Sequence, residues 1–215
     1  MESKTALKNS FKEKTQLYVI GLGPGHTDYI LPKALKSLHE VSAVVGFSRA
    51  MESIDFVDNK KIIIKGLKDL KELYEKGEYE SLGIIASGDP CYYGITNYVK
   101  NNISKDVKVV PGLSSFQYLS SRLALPWQDA YVGSMHGREE SFIEKVKSYK
   151  LSFWLVDNKF TPKVLCEMLN KENIKGNAYV GENLSYDNER IFKGTIEEVT
   201  LEEFTELSVL VIERE

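Results

Sequence analysis

Only two cysteines, Cys91 and Cys166, and three histidines occur among the 215 residues of this chain. Two thiols so far apart match neither a disulfide framework nor a zinc spacing, so both are expected to be reduced and no metal is expected. No apolar run approaches the ~18 residues of a membrane span, and Met1 to Gln16 lacks the hydrophobic segment of a secretory signal. The expectation is a cytoplasmic protein with no membrane contact. A basic excess is missing too: 28 Lys and Arg against 31 Asp and Glu leave a formal charge of −3. That balance argues against a general nucleic-acid binder, which carries a basic face, but leaves room for a local basic pocket. There is no internal repeat, no low-complexity segment and no phosphate-cradling P-loop, because no Lys-Ser or Lys-Thr closes a glycine loop.

What is present is a regular alternation of apolar runs and helical periods, in a chain long enough to bury a substantial core as one large domain or two small lobes. Leu17 to Ile20 reads as a strand, and Leu31, Ala34, Leu35 and Leu38 recur at helical spacing after it. Ala43 to Val45 and Ile62 to Ile64 read as further strands, and Leu67, Leu70 and Tyr74 as a helix that stops near Gly77. The strand Leu82 to Ala86, a helix over Tyr93 to Asn101, the strand Val107 to Val110 and a helix with Phe116, Leu119 and Leu123 on one face complete this part. Such βαβα alternation favours a mostly parallel sheet. Leu125-Pro126-Trp127-Gln128-Asp129 breaks the pattern, because proline biases its predecessor away from helix. The predicted organisation is a polar, mobile extension over 1–16, an α/β lobe over 17–125 and a second α/β lobe over 126–215. The second lobe reads as strands at Tyr131 to Ser134, Ser152 to Val156, Ala178 to Val180, Arg190 to Phe192 and Leu207 to Ile212. Helices are expected near Glu139 to Tyr149 and Pro162 to Lys171, and the sheet is expected to include antiparallel strands.

Three glycine turns follow three strands of the first lobe: Gly21-Leu22-Gly23-Pro24-Gly25, Ser87-Gly88-Asp89-Pro90 and Pro111-Gly112-Leu113-Ser114-Ser115. Open α/β sheets bind ligands at the carboxyl ends of their strands, so three such turns predict one shared crevice. The first lacks the third glycine of a dinucleotide fingerprint and has Pro24 where that motif needs backbone donors, which argues against a nicotinamide cofactor. Taken singly, each also has a plain structural reading. Asp89 can organise its own turn before Pro90, and Ser114 and Ser115 can cap a helix. Ser134-Met135-His136-Gly137-Arg138 forms a fourth constellation, because an arginine fork suits a carboxylate and histidine titrates near neutrality. A solvated loop is the alternative. Arg49 is another acid-binding group or an ordinary surface charge. Tyr92, Tyr93 and Trp127 either line a flat pocket or pack in the core.

Taken in order, these residues resemble the tetrapyrrole methylase family, in the glycine-proline-glycine turn at Gly21 to Gly25, the Gly-Asp-Pro turn at Gly88 to Pro90, and Pro-Gly with small hydroxyl residues at Pro111 to Ser115. The likeness runs from about Leu17 to the carboxyl end. It implies an α/β fold of two lobes, the first sheet mostly parallel and the second mixed, as a homodimer with S-adenosyl-L-methionine between the lobes. By position, Pro24, Asp89, Tyr92, Ser114 and Ser115 would contact the cofactor from the first lobe, and Val156 and Leu184 from the second. Gly21, Gly23 and Gly25 would lie on the substrate side. Arg49, His136 and Arg138 would pair with acetate and propionate groups of a tetrapyrrole. The run Leu125 to Ala130 followed by Ser134 to Arg138 resembles the branch that methylates carbon 5 of a corrinoid in cobalamin biosynthesis. That likeness implies a corrinoid substrate, with or without cobalt, and a separate C15-methylating decarboxylase as partner. No catalytic acid or base is identified, since a sulfonium methyl is already electrophilic and needs mainly alignment and exclusion of water. Two other readings stay open: methylation of RNA ribose or of a translation factor, which the same family includes, and a noncatalytic nucleotide-responsive module.

Overall fold

The structure is a computed structural model that describes residues 15–215. Most of the expected extension, 1–14, lies outside the described residues. Gln16 already belongs to the first strand, and Thr15 is buried with its hydroxyl donating to Tyr79 O at 2.8 Å.

Five strands form the first sheet: β1 (Gln16–Gly21), β2 (Ala43–Gly46), β3 (Lys61–Ile63), β4 (Ser81–Ala86) and β5 (Val107–Val110). Their order is β3-β2-β4-β1-β5, and every neighbouring pair is parallel. Both faces are covered, which is why the strands read as continuous apolar runs. Leu17 and Val19 of β1 join Leu82 and Ile84 of β4 on one face, under Leu70 of α3 (Leu67–Lys76) and Val99 of α4 (Thr96–Asn102). Ile20 and Ile85 turn to the other face, against Ala34 and Leu38 of α1 (Pro32–Glu40) and Met51 of α2 (Ser48–Glu52). Pro32 opens α1, where its missing N–H costs nothing, and Gly77 closes α3 in a left-handed conformation at φ 59°.

The second sheet has the order β6-β7-β10-β8-β9, built from β6 (Tyr131–Ser134), β7 (Leu151–Leu155), β8 (Gly176–Glu182), β9 (Arg190–Thr195) and β10 (Ser208–Arg214). β6 and β7 are parallel, while β10 runs antiparallel to β7 and β8, and β8 to β9. The mixed sheet therefore matches the expectation. One face carries Trp154, Val180 and Leu210 beneath α6 (Phe142–Ser148), α7 (Pro162–Lys171) and α8 (Ile196–Val199). The other carries Phe153, Val209 and Val211 beneath Phe116 and Leu119 of α5 (Ser115–Leu123). Helix α5 follows β5 and precedes the proline break at Pro126, yet its apolar face is buried on the second sheet.

Several elements differ from the sequence reading. The helix expected from Glu139 starts at Phe142 because the Glu140 side chain is drawn back to β6, accepting from Ser134 N–H at 3.2 Å. The short helices α2 and α8, of five and four residues, are too brief to show a period.

Candidate functional site

The order of the first sheet puts β4, β1 and β5 side by side, so the three glycine turns leave adjacent strand ends. Register sets Gly21 beside Ala86 and Ile20 beside Val110. Beyond the strands the turns lock together through backbone alone. Leu22 N–H donates to Ala86 O at 2.9 Å, and Gly88 N–H to Gly23 O at 2.8 Å. A Cβ on Gly21 would stand 2.6 Å from Gly112 N and 2.8 Å from Gly88 O, and one on Gly112 would stand 2.2 Å from Gly88 O. The glycines are thus required for close approach of three chains, besides the positive φ of 84° at Gly23. Asp89 completes the second turn: its Oδ1 accepts from Cys91 N–H at 2.7 Å. The Ser114 hydroxyl caps α5 at the mouth of the third, paired with Gln117 in a capping box.

The facing wall comes from the second lobe, where antiparallel pairing brings opposite chain ends to one edge. Ser208 pairs with Glu182 and Val209 with Leu155, so the start of β10 lies beside the carboxyl ends of β7 and β8. Between the walls is a cleft of about 490 Å³. This size lies within the range of small-molecule and cofactor sites, ~300–1,000 Å³. Contacts on two sides tie the walls. On one side His26 N–H donates to Ser185 Oγ at 2.8 Å, and the Tyr29 ring meets Tyr118 of α5 edge-on at 4.9 Å. Glu189 organises that side, accepting from Ser185 N–H at 2.7 Å and Arg122 Nε at 3.1 Å. Burial pushes its carboxyl up, but hydrogen bonds from Tyr118 and Ser185 and the charge of Arg122 outweigh burial and hold it below its ordinary range. On the other side, Tyr92 donates to Gly133 O at 3.0 Å and Tyr93 to Glu140 Oε1 at 2.7 Å. Tyr131 donates to Glu140 Oε2 at 2.7 Å, so one carboxylate gathers two phenols from two lobes.

Burial and the Glu140 charge raise the phenols of Tyr92 and Tyr93 far above the usual tyrosine range. Burial and the Glu140 hydrogen bond push Tyr131 up to about 12. These groups are structural donors rather than acids at neutral pH. Asp157 lies below the normal carboxylate range, chiefly because the N–H groups of Gly137 and Phe160 donate to it. His136 Nδ1 is 3.0 Å from Val156 O.

Of the residues expected to hold the cofactor, Pro24, Asp89, Tyr92, Ser114, Ser115, Val156 and Leu184 all line this one cleft. So do Gly23, Gly25, Arg49 and His136 from the substrate set. Gly21 does not: it sits beneath the wall, packed on Gly88 and Gly112. Arg138 stands outside the lining, its guanidinium 4.5 Å over the Tyr93 ring. Trp127 packs edge-on against Phe116 at 5.3 Å, outside the lining as well. The sequence reading missed Phe47, Ser53, Asn183, Tyr186 and Glu206 to Val209, which also line the cleft. Asn183 and Ser185 hold positive φ of 45° and 70°. Apart from those turn-prone types, no local signal marked that loop. Among the described residues no group of three or more His, Cys, Asp or Glu is placed to hold a metal ion.

The arrangement suits a small-molecule ligand: a main-chain wall beside Asp89, with the apolar residues Leu155, Val156, Leu184 and Val209 in the rest of the lining. A similar architecture occurs in solved structures. The precorrin-6Y methylase of Archaeoglobus fulgidus superposes with a TM-score of 0.72 at 21% identity, covering 93% of this chain and 98% of that one. The uroporphyrin-III C-methyltransferase of Thermus thermophilus, solved with S-adenosyl homocysteine, gives 0.72 at 18% identity over 92% and 96%. In sequence, the chain is 31% identical over 207 residues to a probable cobalt-precorrin-7 C(5)-methyltransferase of Methanocaldococcus jannaschii, spanning 92% of this chain and 97% of that protein. Residues 16–200 match the tetrapyrrole (corrin/porphyrin) methylases as a family. With three glycine turns closing one wall of an interlobe cleft and that match running from the first strand to beyond α8, the chain belongs to the tetrapyrrole methylase family.

Proposed function

We propose that this protein is an S-adenosylmethionine-dependent C-methyltransferase that methylates carbon 5 of cobalt-precorrin-7, or its cobalt-free counterpart, in cobalamin biosynthesis. The reading is carried by the likeness to the Methanocaldococcus jannaschii protein, which extends over nearly the full length of both chains. The cleft supports the same reaction class. When bound, S-adenosylmethionine supplies a methyl group on a positively charged sulfur. The chain's own task is to hold that group in line with a ring carbon and to keep water away. Pro24, Asp89, Tyr92, Ser114 and Ser115 would hold the cofactor from the main-chain wall, and Val156 and Leu184 from the apolar one. Asp89 acts as a positioner, since its Oδ1 already braces the turn through Cys91 N–H.

Arg49 would pair with a tetrapyrrole carboxylate. It lines the main cleft and also an adjoining hollow of about 350 Å³ with Glu52, Asn183 and Asn188. Arg138, over the Tyr93 ring, would meet substrate carboxylates at the rim. We further propose a homodimer, a cytoplasmic location and a separate C15-methylating decarboxylase as partner; family resemblance supports each. Among the described residues no helix is long and apolar enough to cross a membrane.

The deciding experiment is incubation of the purified protein with cobalt-precorrin-7 and methyl-labelled cofactor, followed by mass spectrometry. One added methyl on carbon 5 without loss of carbon dioxide is expected. Cofactor binding with no transfer to any precorrin would overturn the reading.

A further inference from the structure

We propose that His136 is the proton acceptor of the methyl transfer, an inference that rests on the function just proposed. Replacing a ring hydrogen by a methyl group releases one proton per turnover. The ring carbon's π pair makes the new C–CH₃ bond and the S–CH₃ pair remains on sulfur. The C–H pair then returns to the ring as the hydrogen leaves as H⁺. A base at the cleft must receive it.

His136 is built for that task. A carbonyl oxygen only accepts, so the 3.0 Å contact with Val156 O puts the hydrogen on Nδ1 and leaves the lone pair of the neutral ring on Nε2. The backbone beneath the ring is held on both sides: His136 N–H donates to Ser134 Oγ at 3.2 Å and Gly137 N–H to Asp157 Oδ2 at 2.8 Å. This role differs from the carboxylate pairing expected of His136, because an imidazole with its hydrogen on Nδ1 offers no donor at Nε2.

The other titratable groups of the cleft are less suited. The Tyr92 and Tyr93 hydroxyls are committed as donors to Gly133 O and Glu140, and Arg49 has no acceptor. Asp89 Oδ1 already takes Cys91 N–H. Glu206, exposed ahead of β10, is the remaining carboxylate and serves as the control.

The test has one arm without turnover and one with it. With three histidines in the chain, ¹⁵N–¹H NMR of the cofactor-free protein at neutral pH can resolve the His136 ring, which should show the Nδ1–H tautomer. In turnover of cobalt-precorrin-7, His136→Gln should lower kcat by roughly 10²–10⁴-fold, the usual scale of general-base catalysis. Its cofactor Kd should stay within about twofold, because the loss falls on the transition state. Deuterium at the receiving carbon should slow the variant more than the native enzyme, and added imidazole should restore part of the rate to His136→Gly. An Nε2–H tautomer overturns the proposal, as does a His136→Gln kcat within about threefold of native or a larger loss in Glu206→Gln. No methyl transfer by the unaltered protein instead overturns the function on which the proposal rests, while the tautomer measurement reads the ring geometry separately.

Discussion

The two lobes build their walls of the cleft by different means. In the first, all five strands run the same way, so every carboxyl end lies on one edge, and the order β4-β1-β5 makes neighbours of turns that are tens of residues apart. Its wall is largely main chain, closed by glycines that touch backbone to backbone. In the second, β10 runs against β7 and β8, so strand starts and strand ends share an edge, and the wall is a set of residues from strand ends and loops. A parallel edge gives a rigid cradle with little tolerance for added atoms. A mixed edge supplies groups that vary without disturbing the sheet. On this comparison, cofactor holding should depend on first-lobe backbone, while proton handling should depend on second-lobe side chains and substrate choice on side chains of both lobes, Arg49 among them.

The sharpest challenge is Gly112→Ala. Its new Cβ would lie 2.2 Å from Gly88 O and 3.0 Å from the Gly21 backbone, closer than ordinary van der Waals contact. Loss of roughly 3 kcal/mol or more in thermal or denaturant unfolding is expected, at the upper end for single substitutions. A near-native melting temperature would show that the cradle yields. Next, Asp89→Ala should weaken cofactor binding by about 1.5–3 kcal/mol, the scale of a hydrogen bond involving a charged group, while the chain stays folded. Calorimetric titration measures this, and unchanged affinity in a folded variant would confine Asp89 to bracing its turn.

A smaller effect is expected from Glu189→Gln, which trades a carboxylate for an amide at the hinge of Ser185, Tyr118 and Arg122. A stability loss of about 1 kcal/mol fits a partly exposed pair plus its hydrogen bonds, together with faster amide exchange at Ser185. Slow exchange at that amide would place the interlobe latch elsewhere. The smallest effect is an acid one at Asp157. Its folded pKa is depressed by N–H donors, so it contributes stability above the unfolded value, and that contribution is lost as pH falls through the folded one. Asp157→Asn should therefore flatten the acid limb of unfolding, the variant differing from native at neutral pH and converging with it only below the depressed folded pKa of Asp157. An acid titration followed by circular dichroism reads both limbs.

How much could be read in advance follows the same division. Punctuation by glycine and proline is a local steric signal, so the turns at Gly23, Gly88 and Gly112 stood out. Resemblance then gave each turn a cofactor. Glu140 did not stand out, because it lay within an expected helix and its ties to Tyr93 and Tyr131 span 47 and 9 residues. Asn183, Tyr186 and Glu206 lay in turns between short strands, and nothing in their own neighbourhood told that β10 would fold back beside β7 and β8. Arg138 stands out by its company with His136, but one glycine between them turns the chain at φ 64° and sets the guanidinium over Tyr93, outside the cleft lining.

By itself, the sequence determined the strand and helix succession, the parallel character of the first sheet, and the positions where backbone must approach backbone. Those properties depend on side-chain period and on the steric freedom of single residues, which act within a few positions. Only the tertiary structure decided that the three turns are neighbours, that α5 shields the second sheet, and that His136 Nδ1 meets Val156 O. Each of these depends on which strand lies beside which and in what direction. Sheet order and register are settled by long-range packing, and no local window of the chain contains them.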